Sequence, residues 1–338
     1  MKLYLCLLLS ILLSAVVLAA PASYHQVKRI AVGGDGGWDY LTVDSAAHIL
    51  YVGRSTRTIA IDVVKGVVAG EVANTPGVHG IALAPKLHRG FTSNGKDNTV
   101  TVFDLKTYKE IARVPVGTNP DAILFDPASN RVFTMNGGSN DATAIDAASL
   151  KVVGTMALGG RPEYAVADEK GAVYVNIEDK NEIVALDART LALKNRWSIA
   201  PGDSPTGLTM DRKHRRLFAV CGNAMMIVMN ADTGAVVATP AIGNGPDAVA
   251  FDPGTGLVFS SNGRDGTLTV LKEETPDKYT VLATVPTQMG SRTMALDPKT
   301  HTIYLAAARF KAAAADPEQP HQRPQMEPGS FEILVFGK

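Results

Sequence analysis

Seven residues recur at one place in a repeating pattern and carry most of the chemistry available to this chain. They are Asp39, His79, Asp121, Glu163, Thr206, Asp247 and Arg292, each five residues ahead of a recurrent mark at Asp44, Ala84, Asp126, Asp168, Asp211, Asp252 and Asp297. Four are carboxylates, and an imidazole, a hydroxyl and a guanidinium complete the set. Carboxylates gathered round a narrow, poorly solvated opening raise one another's pKa or recruit a cation, so the set is a candidate site for a polar ligand or a divalent cation. A blander use exists. Asp121, Glu163 and Asp247 each follow a proline, and a carboxylate there can cap a turn by accepting local backbone N–H bonds. A purely structural cap has no need of His79 and Arg292 in the same slot. The ligand-binding candidates are therefore Asp39, His79, Asp121, Glu163, Asp247 and Arg292. No residue is singled out as catalytic and no resident cofactor is expected, although a divalent cation is compatible with the set.

A second recurrence lies ten residues after each mark: Arg54, Asn94, Asn136, Cys221, Asn262 and Ala307, with Asn176-Ile177 taking that place in the fourth repeat. The Asn-Gly pairs at 94–95, 136–137 and 262–263 suit loops that need positive φ, which reads as structural.

The elements that position these residues follow from the repeat itself. Gly117-Thr-Asn-Pro-Asp-Ala-Ile-Leu-Phe-Asp-Pro127 returns as Gly243-Asn-Gly-Pro-Asp-Ala-Val-Ala-Phe-Asp-Pro253, and Ser93-Asn-Gly-Lys-Asp-Asn-Thr-Val-Thr-Val102 as Ser261-Asn-Gly-Arg-Asp-Gly-Thr-Leu-Thr-Val270. The marks are spaced by 40, 42, 42, 43, 41 and 45 residues. Each repeat reads as four short strands. The first ends at the marked Asp, and the second opens on an aromatic residue (Tyr51, Phe133, Tyr174, Phe259, Tyr304). The third alternates strictly, as in Thr99-Val-Thr-Val-Phe103, and the fourth runs into a glycine. Period-two alternation bounded by Asn, Asp, Gly and Pro is strand chemistry. Four strands every 40 to 45 residues make a propeller blade, so the expected fold is all-β: a seven-bladed β-propeller of four-stranded antiparallel blades. The chain ends one strand short in the seventh repeat. Val27-Lys-Arg-Ile-Ala-Val32-Gly33 matches Glu110-Ile-Ala-Arg-Val-Pro-Val-Gly117, so the N-terminal strand is expected to complete the last blade. In such a ring the fourth-to-first and second-to-third connections share one face, which puts the seven polar residues at the channel mouth.

Phe91-Thr-Ser-Asn94, Phe133-Thr-Met-Asn136 and Phe259-Ser-Ser-Asn262 resemble the Tyr-Val-Thr-Asn motif of the YVTN-type propeller repeat family. Tyr51-Val-Gly-Arg54, Tyr174-Val-Asn-Ile177, Phe218-Ala-Val-Cys221 and Tyr304-Leu-Ala-Ala307 depart from it. The resemblance covers residues 27 to 338 and extends to YncE-like bacterial proteins. It implies a seven-bladed fold and a periplasmic or surface location, and it assigns no activity.

The chain ends carry two further signals. Lys2, an apolar run from Leu3 to Ala20 and Ala20-Pro-Ala22 form a Sec-type signal peptide over residues 1–22. The rest, 23–338, is expected to be one propeller domain, periplasmic or extracellular, with no stable membrane span after cleavage. Between Ala307 and Phe331 the seventh repeat carries a long insertion, residues 308–330, rich in Pro and Gln; it is expected beside the channel mouth with His321 and Arg323 on it. Trp38 belongs to the same face, as a ligand platform or as a cap on the ring. His48, His88, His214 and His301 fall in turns on the opposite face, where solvent exposure is expected.

Composition excludes several classes. Lys plus Arg and Asp plus Glu number 33 each, so neither a nucleic-acid stripe nor a polybasic membrane patch is indicated. Cys221, the one cysteine beyond the leader, permits no internal disulfide. No phosphate loop, His-Glu-x-x-His, nucleophile elbow or haem-attachment motif occurs, and Gly33-Gly-Asp-Gly-Gly37 precedes no helix. The leading reading is a monomeric scaffold that binds a small molecule or a protein at the channel mouth. A metal-dependent lactonase- or lyase-like enzyme built on the carboxylates, with His79 or His321 as acid or base, is the first alternative. A subunit of a periplasmic redox enzyme is the second.

Overall fold

The computed structural model describes residues 24–311 and 325–338. The leader at 1–22 and His321 and Arg323 lie outside them. Twenty-eight strands form seven four-stranded antiparallel sheets. The only helical segments among the described residues are two short 3-10 turns, Pro85–Leu87 and Glu178–Lys180. No helix among them is long and apolar enough to cross a membrane.

Six of the seven sheets are each one repeat with strands paired in sequence order, so the hydrophobic pattern and the fold share one period. The innermost strands are Leu41–Asp44, Val78–Ala84, Pro120–Asp126, Pro162–Ala167, Pro205–Asp211, Pro246–Asp252 and Met294–Asp297, and neighbouring ones pack side by side around the channel. The second strand of every blade buries its aromatic: Tyr51, Phe91, Phe133, Tyr174, Phe218, Phe259 and Tyr304 are each at most 5% exposed. Burying a side chain of this size is worth roughly 1.5–3 kcal/mol relative to leaving it in water. One blade cannot bury both its faces, and packing in a ring does so for all seven.

The ring closes as the repeat pattern requires. The seventh sheet runs in the order Met294–Asp297, Thr302–Ala307, Glu332–Gly337, His25–Ala31. The N-terminal strand lies antiparallel to the C-terminal one, from His25 opposite Gly337 to Ala31 opposite Glu332. Ahead of it, Tyr24 is buried, stacks edge-on against Phe259 at 4.8 Å and donates its hydroxyl to the His301 carbonyl at 2.7 Å. Hydroxyls staple adjacent blades to each other: Thr42 Oγ1 to the Ile81 carbonyl (2.7 Å) and Thr293 Oγ1 to the Asp39 carbonyl (2.9 Å).

The Asn positions have a structural explanation. Asn136 Oδ1 accepts from Thr134 Oγ1 (2.9 Å), while its Nδ2 donates to Asp141 Oδ1 (2.6 Å) and Thr143 Oγ1 (2.9 Å). Asn94 and Asn262 repeat the arrangement with Thr92, Thr99 and Thr101, and with Ser260, Thr267 and Thr269. All three amides are fully buried, and each pins the second strand to the third at the loop joining them. The glycines that follow have a different role from the one their sequence suggests. Gly95, Gly137 and Gly263 do not have positive φ; Asn98, Asn140 and Gly266 supply the left-handed residues in those loops. Gly95 and Gly263 are instead needed for space. A Cβ on Gly95 would lie 2.7 Å from His79 Nε2, and one on Gly263 would lie 2.7 Å from Arg292 Cβ.

Candidate ligand site at the channel mouth

The ring residue is the second residue of the innermost strand in blades two to six and stands two positions ahead of it in blades one and seven, and five of the seven ring positions join into one chain of charge. Asp247 Oδ2 accepts from Arg292 Nε at 2.7 Å, and Arg292 Nη2 lies 3.8 Å from Asp39 Oδ1. His79 Nδ1 donates to Asp39 Oδ2 at 2.6 Å and lies 3.6 Å from Asp121 Oδ1, beyond hydrogen-bond range. The chain thus runs through blades six, seven, one, two and three. Glu163 of blade four adds a further carboxyl. Thr206 of blade five does not join: its hydroxyl donates to the Pro246 carbonyl at 3.0 Å and to the Val220 carbonyl at 3.3 Å, a blade-to-blade staple.

Turn capping is done elsewhere. Asp44, Asp62, Asp104, Asp146 and Asp187 accept backbone N–H bonds from residues two or three further on. The side-chain bonds of Asp39 and Asp247 come instead from His79 and Arg292, across blade boundaries. Asp121 Oδ1 is buried with no hydrogen-bond donor among the described residues.

Burial dominates the electrostatics. It pushes the Asp121 carboxyl up to about 7; the His79 charge opposes this, and those of Asp39 and Asp247 add to it. Burial, with the charges of Asp121, Glu178 and Asp247, pushes Glu163 up to about 9. Asp247 rises to about 6 by burial, the Arg292 charge holding it down. Burial alone would lower His79, but the bond to Asp39 and the charges of Asp121 and Asp39 outweigh it and hold the imidazole above its ordinary value. The mouth at neutral pH is therefore a mixture of protonated acids and ion-paired groups.

Tyr40 of blade one and Tyr164 of blade four meet edge-on at 5.1 Å. Tyr40 is buried, and its phenol is held well above the ordinary range first by burial and then by the charges of Asp121, Glu163, Asp39 and Asp247. The mouth is a cup with an aromatic floor. Asp39, His79 and Asp121 offer ligand atoms all within 4.8 Å of one another, close enough to converge on one cation.

Two features flank the cup. Gly33–Gly37 folds around Arg54, a fully buried residue of the second recurrence. The guanidinium donates to the carbonyls of Gly33, Gly34, Asp35, Gly36 and Gly37 at 3.0–3.4 Å and sits 3.7 Å above the Phe331 ring. The glycine run is a carbonyl cradle, with Gly33, Gly34 and Gly36 at positive φ. The ends of the seventh-blade insertion form an antiparallel stem, with Phe310 bridged to Met326 and Arg309 Nε 2.9 Å from Glu327 Oε2. Trp38 packs between Phe310 at 5.9 Å and Phe331 at 5.4 Å, so it props the stem.

On the opposite face, full solvation of the histidines is corrected for two of them. His301 Nδ1 donates to Asp252 Oδ2 at 2.8 Å, and His214 Nδ1 lies between Asp211 and Glu273. Cys221 is wholly buried, and burial pushes its thiol up to about 12.

No family model and no curated protein matches the chain. Solved structures do. A chain of the Kuenenia stuttgartiensis hydrazine synthase is 16% identical over 85% of this chain and 95% of that one, with a TM-score of 0.70. A chain of the mitotic checkpoint complex is 12% identical over 100% and 99%, with a TM-score of 0.76. The WD40 repeats of RRP9 are 9% identical over 94% and 98%, also at 0.76. At such identities the likeness is one of fold: a seven-bladed propeller with WD40-like neighbours.

Proposed function

We propose that this chain is an exported binding propeller of the YVTN type, acting in the periplasm or outside the cell, and that its channel mouth takes a small cation, either an organic amine or a divalent metal. One observation carries the reading: Asp121 Oδ1 is buried, without a donor, in a ring of carboxyls that share one poorly solvated cup. A buried acceptor left open is costly in a folded protein and calls for a partner. A cation entering the cup would displace the protons that Asp121 and Glu163 hold at neutral pH and take over as counter-charge. The aromatic floor supports an organic cation as well as a metal, since a tyrosine face attracts positive charge. Export rests on the N-terminal apolar run, and the YVTN assignment on the Phe-Thr-x-Asn strands. A thermal-shift screen of calcium, manganese and simple amines against the wild type and Asp121→Asn tests the site. Stabilisation by a cation in the wild type that is lost in the variant supports it; a wild type indifferent to every cation sinks it.

A further inference from the structure

The repeat that builds the ring also exposes a place where blades five and six abandon it. In blades three, six and seven the marked Asp is capped by a hydroxyl three residues on. Ser129 Oγ donates to Asp126 Oδ2 at 2.6 Å, Thr255 Oγ1 to Asp252 Oδ2 at 2.6 Å, and Thr300 Oγ1 to Asp297 Oδ2 at 2.9 Å. Blade five has His214 at that position. Asp211 Oδ1 still accepts the Lys213 N–H at 2.9 Å, but Asp211 Oδ2 is buried and, although His214 Nδ1 lies 2.6 Å away, receives no well-directed hydrogen bond from the described residues. The second departure faces the first. The residue that follows the third-strand turn position, and bonds back to the start of the second strand, is Val63, Leu105, Ala147, Ala188 or Ala231 in blades one to five. In blade six it is Glu273, whose N–H donates to the Gly256 carbonyl in the same way. An ionisable side chain thus stands where blades one to five place an apolar one, wholly buried in blades three to five, and its Oε2 also lacks a hydrogen-bond partner among the described residues.

The side chains of Asp211 and Glu273 are 3% and 4% exposed. His214 Nδ1 lies 2.6 Å from Asp211 Oδ2 and 2.9 Å from Glu273 Oε1. One ligand atom from each residue falls within 4.8 Å of the other two. The group lines a cleft of about 420 Å³ on the face opposite the channel mouth, with Lys213, Pro253 and Pro276 among its other walls. Two buried carboxylates in contact repel each other, the charge of Asp211 raising Glu273 after burial, and one imidazole N–H cannot satisfy both. A divalent ion would engage both carboxylates and the imidazole at once.

We infer that Asp211, His214 and Glu273 form a divalent transition-metal site of the zinc class, joining blades five and six and facing the cleft. One imidazole and two carboxylates are a donor set that zinc accepts, and three protein ligands leave room for a ligand from the cleft. This site is independent of the channel mouth.

The repeat supplies variants that should fold. Glu273→Ala restores the residue found at Ala147, Ala188 and Ala231, and His214→Ser restores the hydroxyl found at Ser129. The full chain, stripped with chelator, is titrated with Zn²⁺ by calorimetry and followed by thermal unfolding. The wild type should bind one equivalent at this site and gain stability. Glu273→Ala and His214→Ser should each weaken that binding at least about tenfold while melting, without zinc, at or above the wild-type temperature. Asp121→Asn, at the channel mouth, should leave it intact. The inference is overturned if the wild type takes up no zinc, if both cleft variants bind like the wild type, or if the binding is lost only in Asp121→Asn.

Discussion

Tyr40 and Tyr164, one from the first blade and one from the fourth, meet across the channel with their rings 5.1 Å apart. Their contact sets an aromatic pair beside the carboxyls of the mouth, whose charges raise the Tyr40 phenol further after burial. The raised acids of the mouth follow first from burial and then from their mutual repulsion.

The raised acids set a pH dependence. Asp247, Asp121 and Glu163, pushed up to about 6, 7 and 9, bind their protons more tightly in the folded chain than in the unfolded one. Below about pH 4 both states are protonated and these groups make no difference; as pH rises from there to about 9 the folded state loses ground. His79, also raised, adds to the loss as pH climbs through its folded value. Asp62, Asp104, Asp146 and Asp187, held low by turn N–H bonds, act oppositely, their contribution disappearing in acid as they are protonated. Urea unfolding should therefore show stability falling from mild acid towards pH 9 by at least about 2 kcal/mol. The double variant Asp121→Asn, Glu163→Gln should flatten that decline.

Gly95 holds His79 in place by its lack of a side chain. Gly95→Ala puts a methyl 2.7 Å from His79 Nε2 and 2.8 Å from Asn119 Oδ1, whereas Gly137→Ala meets nothing nearer than 3.7 Å. The first substitution should cost about 1–3 kcal/mol and weaken cation binding at the mouth at least about tenfold; the second should change neither measurably. Equal effects from the two in denaturation and binding assays would contradict the positioning role.

Arg54 and its cradle of five carbonyls make a buried cation with no carboxylate partner among the described residues. Lysine cannot span that fork. Arg54→Lys should cost about 3 kcal/mol in chemical denaturation and open the Gly33–Gly37 loop to limited proteolysis. A variant as stable and as resistant as the wild type would show that the cradle holds without its guanidinium.

The N-terminal clasp gives the fold its own test. Removing residues 23–34 takes away the outer strand of the seventh blade together with buried Tyr24 and Ile30. The truncated chain should lose cooperative unfolding. Tyr24→Ala alone should cost about 3 kcal/mol. Unchanged stability in both would refute the clasp.

Fold and candidate site were not equally legible in the sequence. Seven repeats announce seven blades because each repeat is a unit that must pack against its neighbours, and the Val27–Gly33 match to a fourth strand announces the closure. Register alone also brings Asp39, His79, Asp121, Glu163, Asp247 and Arg292 to one mouth. It does not foretell that Asp39 bonds His79, or that Thr206 turns aside, because those depend on side-chain reach across blade boundaries. The Asn-Gly loops mislead for the same reason: Gly95 answers to an imidazole 16 residues back in the sequence, not to its own φ. The group at Asp211, His214 and Glu273 had a readable signal. Glu273 interrupts the series Val63, Leu105, Ala147, Ala188, Ala231, and a search for the departures from that series finds it.

Cation binding at the mouth should displace protons from its carboxyls. Calorimetric titration at pH 7 in buffers of different ionisation enthalpy measures that exchange directly, using a cation that stabilises the wild type in the thermal screen. The account predicts release of roughly one proton per cation bound, abolished in Asp121→Asn, Glu163→Gln. Binding without proton release, or binding as tight in the double variant as in the wild type, would contradict it.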